Sequence, residues 1–238
     1  MRRVRLVDPT SSRGGRRFEA GAERRLYGLA NHVAASLQGP KGHALLVAEM
    51  PSPLGVPDFV ALVGGQCWLN AREAAGVPPV LSEIDCTVLS ALSPVRPLSL
   101  ATLARRLGWD IEQVDRSVGR LLRSGAAVST SSRTVSCAPG MKPVGSLFAI
   151  EAKVKNWQRA VIQGRGYRTW ADNYVMILGD TGPKAAERAR SAVAADGAGL
   201  YTAVGWVVRP RKRSPSLARR TMGFEHLFAA LASGPTFR

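Results

Sequence analysis

Two short stretches carry side chains suited to acid, base or metal chemistry. Pro57-Asp58 opens one apolar run, and Glu151-Ala152-Lys153 lies late in another. Side chains alternate across an extended strand, so Glu151 and Lys153 share one side. Phe148, Ile150, Ala152 and Val154 take the other side and can face a core. A carboxylate and an ammonium set opposite an apolar row cost stability unless they pair or bind something. On adjacent strands, Asp58 and Glu151 would present two hard oxygen donors of the kind Mg²⁺ accepts while keeping its waters. Such a cation polarises a phosphodiester and lowers the pKa of a water. Lys153, one pleat away, would position that water or stabilise the developing charge. The plainer alternative for Glu151 and Lys153 is an ion pair on an edge strand.

The flanking elements must bring these groups together. Phe18, Ala22, Leu26, Leu29, Val33 and Leu37 recur at helical spacing and predict a helix over residues 18–37, stopped by Gly39-Pro40. Residues 43–50 and 56–63 read as an antiparallel strand pair joined by a Pro/Gly-rich turn. Residues 66–79 show no clear pattern. A strand follows at 146–155, then a helix at 156–170 and a strand at 174–178. The next helix has Thr181 or Asp180 as cap and Pro183 in its first turn, and it ends at Gly197. A last strand spans 200–208. The order is helix, strand, strand, strand, helix, strand, helix, strand, once residues 82–137 are set aside. That is an α/β core around a mixed sheet, over 18–65 and 144–208. Residues 1–17 read as a flexible basic arm without a secretory signal. Residues 209–238 read as a basic linker and an amphipathic segment, 224–231, suited to docking a homodimer partner or a larger assembly.

Residues 82–138 form a unit of their own. Helices are expected over 83–92 (Ile84, Val88 and Leu92 inward), over 100–107 with Ser99 as N-cap, and in a third segment. Asp110 caps that third helix, with Gln113 at the capping-box position. On it, Ile111, Val114, Val118, Leu121 and Leu122 fall on one face and Arg116, Arg120 and Arg123 on the opposite one. A hairpin around residues 131–133 follows, with Arg133 at its tip. A basic stripe backed by an apolar one suits a helix lying in a DNA major groove. The alternative is a packing module with a solvated Arg face.

Charge points the same way. The chain has 238 residues, 33 Lys and Arg against 17 Asp and Glu, a net charge of +16 and a pI near 11.1. That excess asks for a polyanion, here double-stranded DNA. No apolar stretch approaches a membrane span, and a cytoplasmic, nucleoid-associated protein is expected. Cys67, Cys86 and Cys137 lie far apart and predict neither a zinc site nor disulfides.

Pro-Asp followed by Glu-x-Lys, in this order of elements, resembles the PD-(D/E)XK nuclease superfamily. Gln163 and Tyr167, four apart on the next helix, resemble its RecB-like Gln-x-x-x-Tyr branch. Residues 82–138 resemble a winged helix-turn-helix. The resemblance implies a restriction-endonuclease-like mixed-sheet core with an inserted winged-helix module, in repair, restriction or defence. It implies an Mg²⁺- or Mn²⁺-dependent endodeoxyribonuclease with Asp58, Glu151, Lys153, Gln163 and Tyr167 at its centre. Asp58 and Glu151 would hold the metal, joined by a further acid from Glu19, Glu23 or Glu49. Gln113, Arg116, Arg120, Arg123 and Arg133 would meet DNA. A long connection separates Asp58 from Glu151, and the inserted module accounts for most of it. A regulator or recognition subunit that keeps the fold without cutting is the alternative.

Overall fold

A computed structural model describes residues 3–7, 26–37, 43–131 and 133–233. The chain runs β1 (Arg3–Val7), α1 (Tyr27–Ser36), β2 (His43–Ala48), β3 (Phe59–Val63) and α2 (Gln66–Ala74). It continues with α3 (Glu83–Ala91), β4 (Leu98–Ser99), α4 (Leu100–Leu107), α5 (Ile111–Ser124), β5 (Ala127–Ser131) and β6 (Thr134–Cys137). It closes with β7 (Ser146–Lys153), α6 (Trp157–Tyr167), β8 (Asn173–Leu178), α7 (Pro183–Asp196), β9 (Gly199–Thr202), β10 (Gly205–Val208) and α8 (Leu217–Ala232).

Seven strands form a mixed sheet in the order β1-β2-β3-β7-β8-β9-β10. β2, β3 and β7 pair antiparallel, whereas β7, β8 and β9 run parallel through the crossover helices α6 and α7. β7 and β8 are largely buried on both faces and mostly apolar, as strands covered on two sides are, with Glu151 and Lys153 the charged exceptions. Phe148, Ile150 and Ala152 pack with Val33 of α1. Leu147 and Ala149 face Tyr167 and Trp170 on the other side.

The insertion leaves this sheet intact. Val63 and Ser146 are partners in the β3–β7 ladder, so the chain leaves and re-enters at one place. There the two passes nearly touch. Gly145 has φ 105°, and a Cβ on it would lie 2.8 Å from Gly65, which excludes any other residue. The inserted unit has its own core, including Val88, Leu89, Leu103, Val114, Val118 and Leu121, and its own three-stranded sheet, β4-β6-β5. Ser99 caps α4 by accepting the Thr102 N–H. Asp110 stands at the N-cap of α5 without a side-chain cap bond.

Several expectations change. Residues 3–7 are not part of a free arm; they form an edge strand parallel to β2, with Val4 opposite Ala44 and Leu6 opposite Leu46. The arginines at 3 and 5 conceal an apolar alternation. The predicted helix over 18–37 is seen from Tyr27 onward; its earlier turns lie outside the described residues. The patternless stretch contains α2, whose buried residues are Trp68, Leu69 and Arg72, a mixture that blurs an amphipathic pattern. The single strand over 200–208 is a hairpin with Val204 exposed at its turn. The cap of α7 is Gly182, not Thr181 or Asp180. Ile84, Ile111 and Leu122 are exposed rather than inward.

The largest correction concerns the C-terminal segment. It is a full helix, α8, whose apolar side chains are spent inside the chain. Phe224, Leu227 and Phe228 join the core of the large sheet, and Met222 joins the core of the inserted unit. These side chains are therefore not free to dock a second chain. Two ionic clamps fix the helix. The fully buried Arg72 makes a two-point ion pair with Glu225, also donates to the carbonyls of Val77 and Pro78, and lies over Phe228. Asp172 accepts from Leu147 N, Ser214 Oγ and Arg220, whose other nitrogens donate to the carbonyls of Pro143 and Gly145. No helix among the described residues is long and apolar enough to cross a membrane.

Candidate active site and nucleic-acid surface

The β3–β7 ladder ends where Phe59 faces Ile150. Pro57, which has no N–H to give, precedes Asp58 and stops the strand. The Asp58 side chain then takes over as acceptor: its Oδ2 receives the Ala152 N–H at 2.7 Å. On the other flank the Asp58 carbonyl accepts the Glu49 N–H at 3.0 Å. Asp58 is thus held from both neighbouring strands.

Glu151 follows the alternation of β7 to the α6 side and is fully buried. Lys153, two residues on, places Nζ 3.1 Å from Glu151 Oε1 and 3.7 Å from Asp58 Oδ2. Tyr167, at the end of α6, donates its hydroxyl to Glu151 Oε2 at 3.1 Å. The loop between β2 and β3 walls this end. A Cβ on Gly55 would stand 3.4 Å from the Tyr167 ring, and Leu54 lies against Gly166. Asp58 and Lys153 are slightly exposed, so the site opens to solvent on their side.

Burial and the charge of Asp58 push the Glu151 carboxyl up to about 7, against the opposing pull of Lys153 and Tyr167. A carboxyl whose pKa rises on folding contributes its full stability below its ordinary value of 4.5. That stability is lost as pH climbs through about 7. Glu151→Gln, which keeps the shape and removes the charge, should therefore melt above wild type at pH near 8, with the gain vanishing towards pH near 4.5. A variant that melts lower at the alkaline end would mean that the Lys153 pair outweighs the cost of burial.

The donor set fits a hard divalent cation. Two carboxylates from neighbouring strands converge on Lys153, and because burial disfavours the ionised form of Glu151, added positive charge would favour it. Glu49 does not complete a three-ligand cluster: the described residues contain no group of three His, Cys, Asp or Glu able to hold a metal. It sits in a left-handed turn beside Asp58. Glu19 and Glu23 lie outside the described residues. Gln163 is one turn before Tyr167, as expected, but no hydrogen bond joins it to the three central residues. Its Oε1 is buried with no partner among the described residues. His226 faces the Pro51 carbonyl at 3.1 Å. The Ala152 N–H, which orients Asp58, carries no signal in the sequence because any residue supplies it.

The arginines expected on one face of α5 are exposed there. Arg116 and Arg123 are exposed on α5, Gln113 is half-buried there, and Arg133 is exposed at the hairpin turn. Arg120 departs from expectation. Its Nε and Nη2 grip Asp85 of α3, with Nη2 2.6 Å from Oδ1, and Ser117 adds a second donor. Burial works against the Asp85 charge, but Arg120 and Ser117 hold its carboxyl below the usual range. Arg120 thus joins two helices of the unit through Asp85 while its side chain stays 44% exposed, so part of its donor capacity is committed inside the unit. A helical wheel cannot reveal this, because Asp85 lies on another element.

Compared with family models, curated proteins and solved structures, the chain finds no match in any of the three.

Proposed function

We propose that the chain is a metal-dependent endodeoxyribonuclease of the PD-(D/E)XK type, with an inserted winged helix-turn-helix that binds duplex DNA. The observation that carries this reading is the convergence of Asp58, Glu151 and Lys153 from two adjacent strands, with Tyr167 on the second oxygen of Glu151. Three helices followed by a hairpin, with Arg116, Arg123 and Arg133 exposed, support the DNA-binding part.

Asp58 and Glu151 would hold the cation. When bound, Mg²⁺ or Mn²⁺ supplies positive charge to the phosphodiester and makes a water more acidic. Asp58 is aimed by the Ala152 N–H and Glu151 by the Tyr167 hydroxyl, so neither carboxylate has to reorganise. Lys153 would hydrogen-bond a phosphate oxygen, where its charge stabilises the negative charge that develops, or hold the attacking water in place by donating a hydrogen bond to it. Glu151 must lose its own proton first, so cutting should rise with pH through about 7.

The test is cleavage of supercoiled plasmid by the purified chain. Nicked or linear product is expected with Mg²⁺ or Mn²⁺ and none in EDTA. Mg²⁺ should also raise the melting temperature more at pH near 8 than at pH near 6, because protonated Glu151 is a poor ligand. Full activity in chelator overturns the mechanism. A folded chain that binds duplex and cuts nothing in either cation is a DNA-binding regulator or recognition subunit instead.

A further inference from the structure

A cationic surface lies outside both the catalytic cluster and the inserted unit. Arg165 and Arg168, at the C-terminal end of α6, both approach Asp196, the last residue of α7, at 2.8 and 3.9 Å. The Tyr174 hydroxyl also donates to Asp196. The next residue, Gly197, ends α7, and its carbonyl accepts the Arg211 N–H at 2.9 Å. The Asn173 amide donates to the Gly197 and Arg211 carbonyls together, and the Arg213 N–H donates to the Asp172 carbonyl. The segment Arg209-Pro-Arg-Lys-Arg213, a linker by composition, is therefore a strap with its backbone pinned to the sheet and α7.

Its side chains point outward. Arg211, Lys212 and Arg213 are exposed. The Arg213 guanidinium lies over Gly197, where a built Cβ would be 3.5 Å from Nε. That brings Arg213 to the same helix end as Arg165 and Arg168. Three guanidiniums, of Arg165, Arg168 and Arg213, thus meet at the end of α7 beside Asp196, and Arg211 and Lys212 add two exposed cations on the adjoining strap. Their mutual repulsion is not offset by that single charge, and a polyanion would relieve it. A pinned backbone also sacrifices little entropy when its arginines engage a row of phosphates, unlike a free tail. Arg165 and Arg168 flank Tyr167, whose hydroxyl rests on Glu151, so α6 links this surface to the catalytic cluster.

We propose that Arg165, Arg168 and the strap Arg211, Lys212 and Arg213 form a second phosphate-binding surface for duplex DNA, separate from the inserted unit, that holds the backbone alongside α6. This rests on the DNA-binding reading above. The surface engages phosphates only, so it adds affinity and salt dependence without sequence preference.

The test uses the full chain and a fluorescein-labelled duplex, with affinity read by fluorescence anisotropy across a salt series. The triple variant Arg211→Ala, Lys212→Ala, Arg213→Ala should bind about tenfold or more weakly. Its plot of log affinity against log salt should be flatter by roughly two to three units, at about 0.9 for each phosphate that is no longer neutralised. Arg211→Lys with Arg213→Lys, which keeps the charge, should retain the slope. Lys212→Glu alters one exposed side chain with no partner among the described residues. It should flatten the slope even if the triple variant melts early. Wild-type affinity and slope in folded triple-Ala and Lys212→Glu variants, against a wild type that does bind, overturn the second surface alone. A wild type with no affinity for duplex overturns this surface and the DNA reading together.

Discussion

Glu151→Ala and Lys153→Ala should each lower plasmid cleavage in Mg²⁺ by roughly three orders of magnitude, while duplex affinity stays within a few fold of wild type. Glu151 is fully buried, bonded to Tyr167 and 3.1 Å from Lys153, so on the proposed reading its removal would take away a fixed metal ligand with no replacement. Lys153 brings a single ammonium to both carboxylates. Affinity should survive because the proposed reading draws it from arginines elsewhere, on α5 and beyond it. Single-turnover cleavage beside anisotropy on the same preparations separates the two effects. Variants that cut as fast as wild type would remove the catalytic assignment. Variants that lose binding as much as cutting would mean that these residues hold DNA rather than act on it.

Arg72→Met should destabilise the fold by about 3–5 kcal/mol in urea unfolding, because it strands the Glu225 carboxylate in the interior. Arg72 is entirely buried and makes four hydrogen bonds, two of them to Glu225, which is itself buried and also accepts the Val80 N–H. The double variant Arg72→Met, Glu225→Leu should recover part of the loss, since no lone charge remains. It should not recover all of it, because Val80 N and the two freed carbonyls stay unpaired. A single variant as stable as wild type would show that α8 is held by its apolar packing alone. Residues 66–80 lead into the inserted unit and α8 packs on it. The single variant should therefore also loosen the unit against the sheet, measurable as faster hydrogen exchange in α3.

Much of the core was legible because its signals are local. The turn at 51–55 and the apolar runs on either side predict the β2–β3 pair, and the structure has it. The alternation along 146–153 predicts that Glu151 and Lys153 share a face, and they do. Inside the inserted unit, Ser99 starts α4 and the left-handed Gly108 and Gly125 end α4 and α5, local signals that act whatever surrounds them. β1 was hidden because charged residues alternate with its apolar ones, and α8 because a buried helix can carry Arg220 and Glu225 when each has a partner. Those partners lie far away in the chain, as does the Asp85 that claims Arg120.

Backbone geometry by itself determined which side chains share a face, because the periods of strand and helix depend only on the local chain. Tertiary structure alone decided which faces meet and what each charge meets there. Asp58 became a fixed acceptor because its strand lies beside Ala152. The Glu151 carboxyl rose to about 7 because the α6 side of the sheet is closed over it. Desolvation and ion pairing depend on neighbours within a few ångströms in space, and no spacing along the chain records those distances.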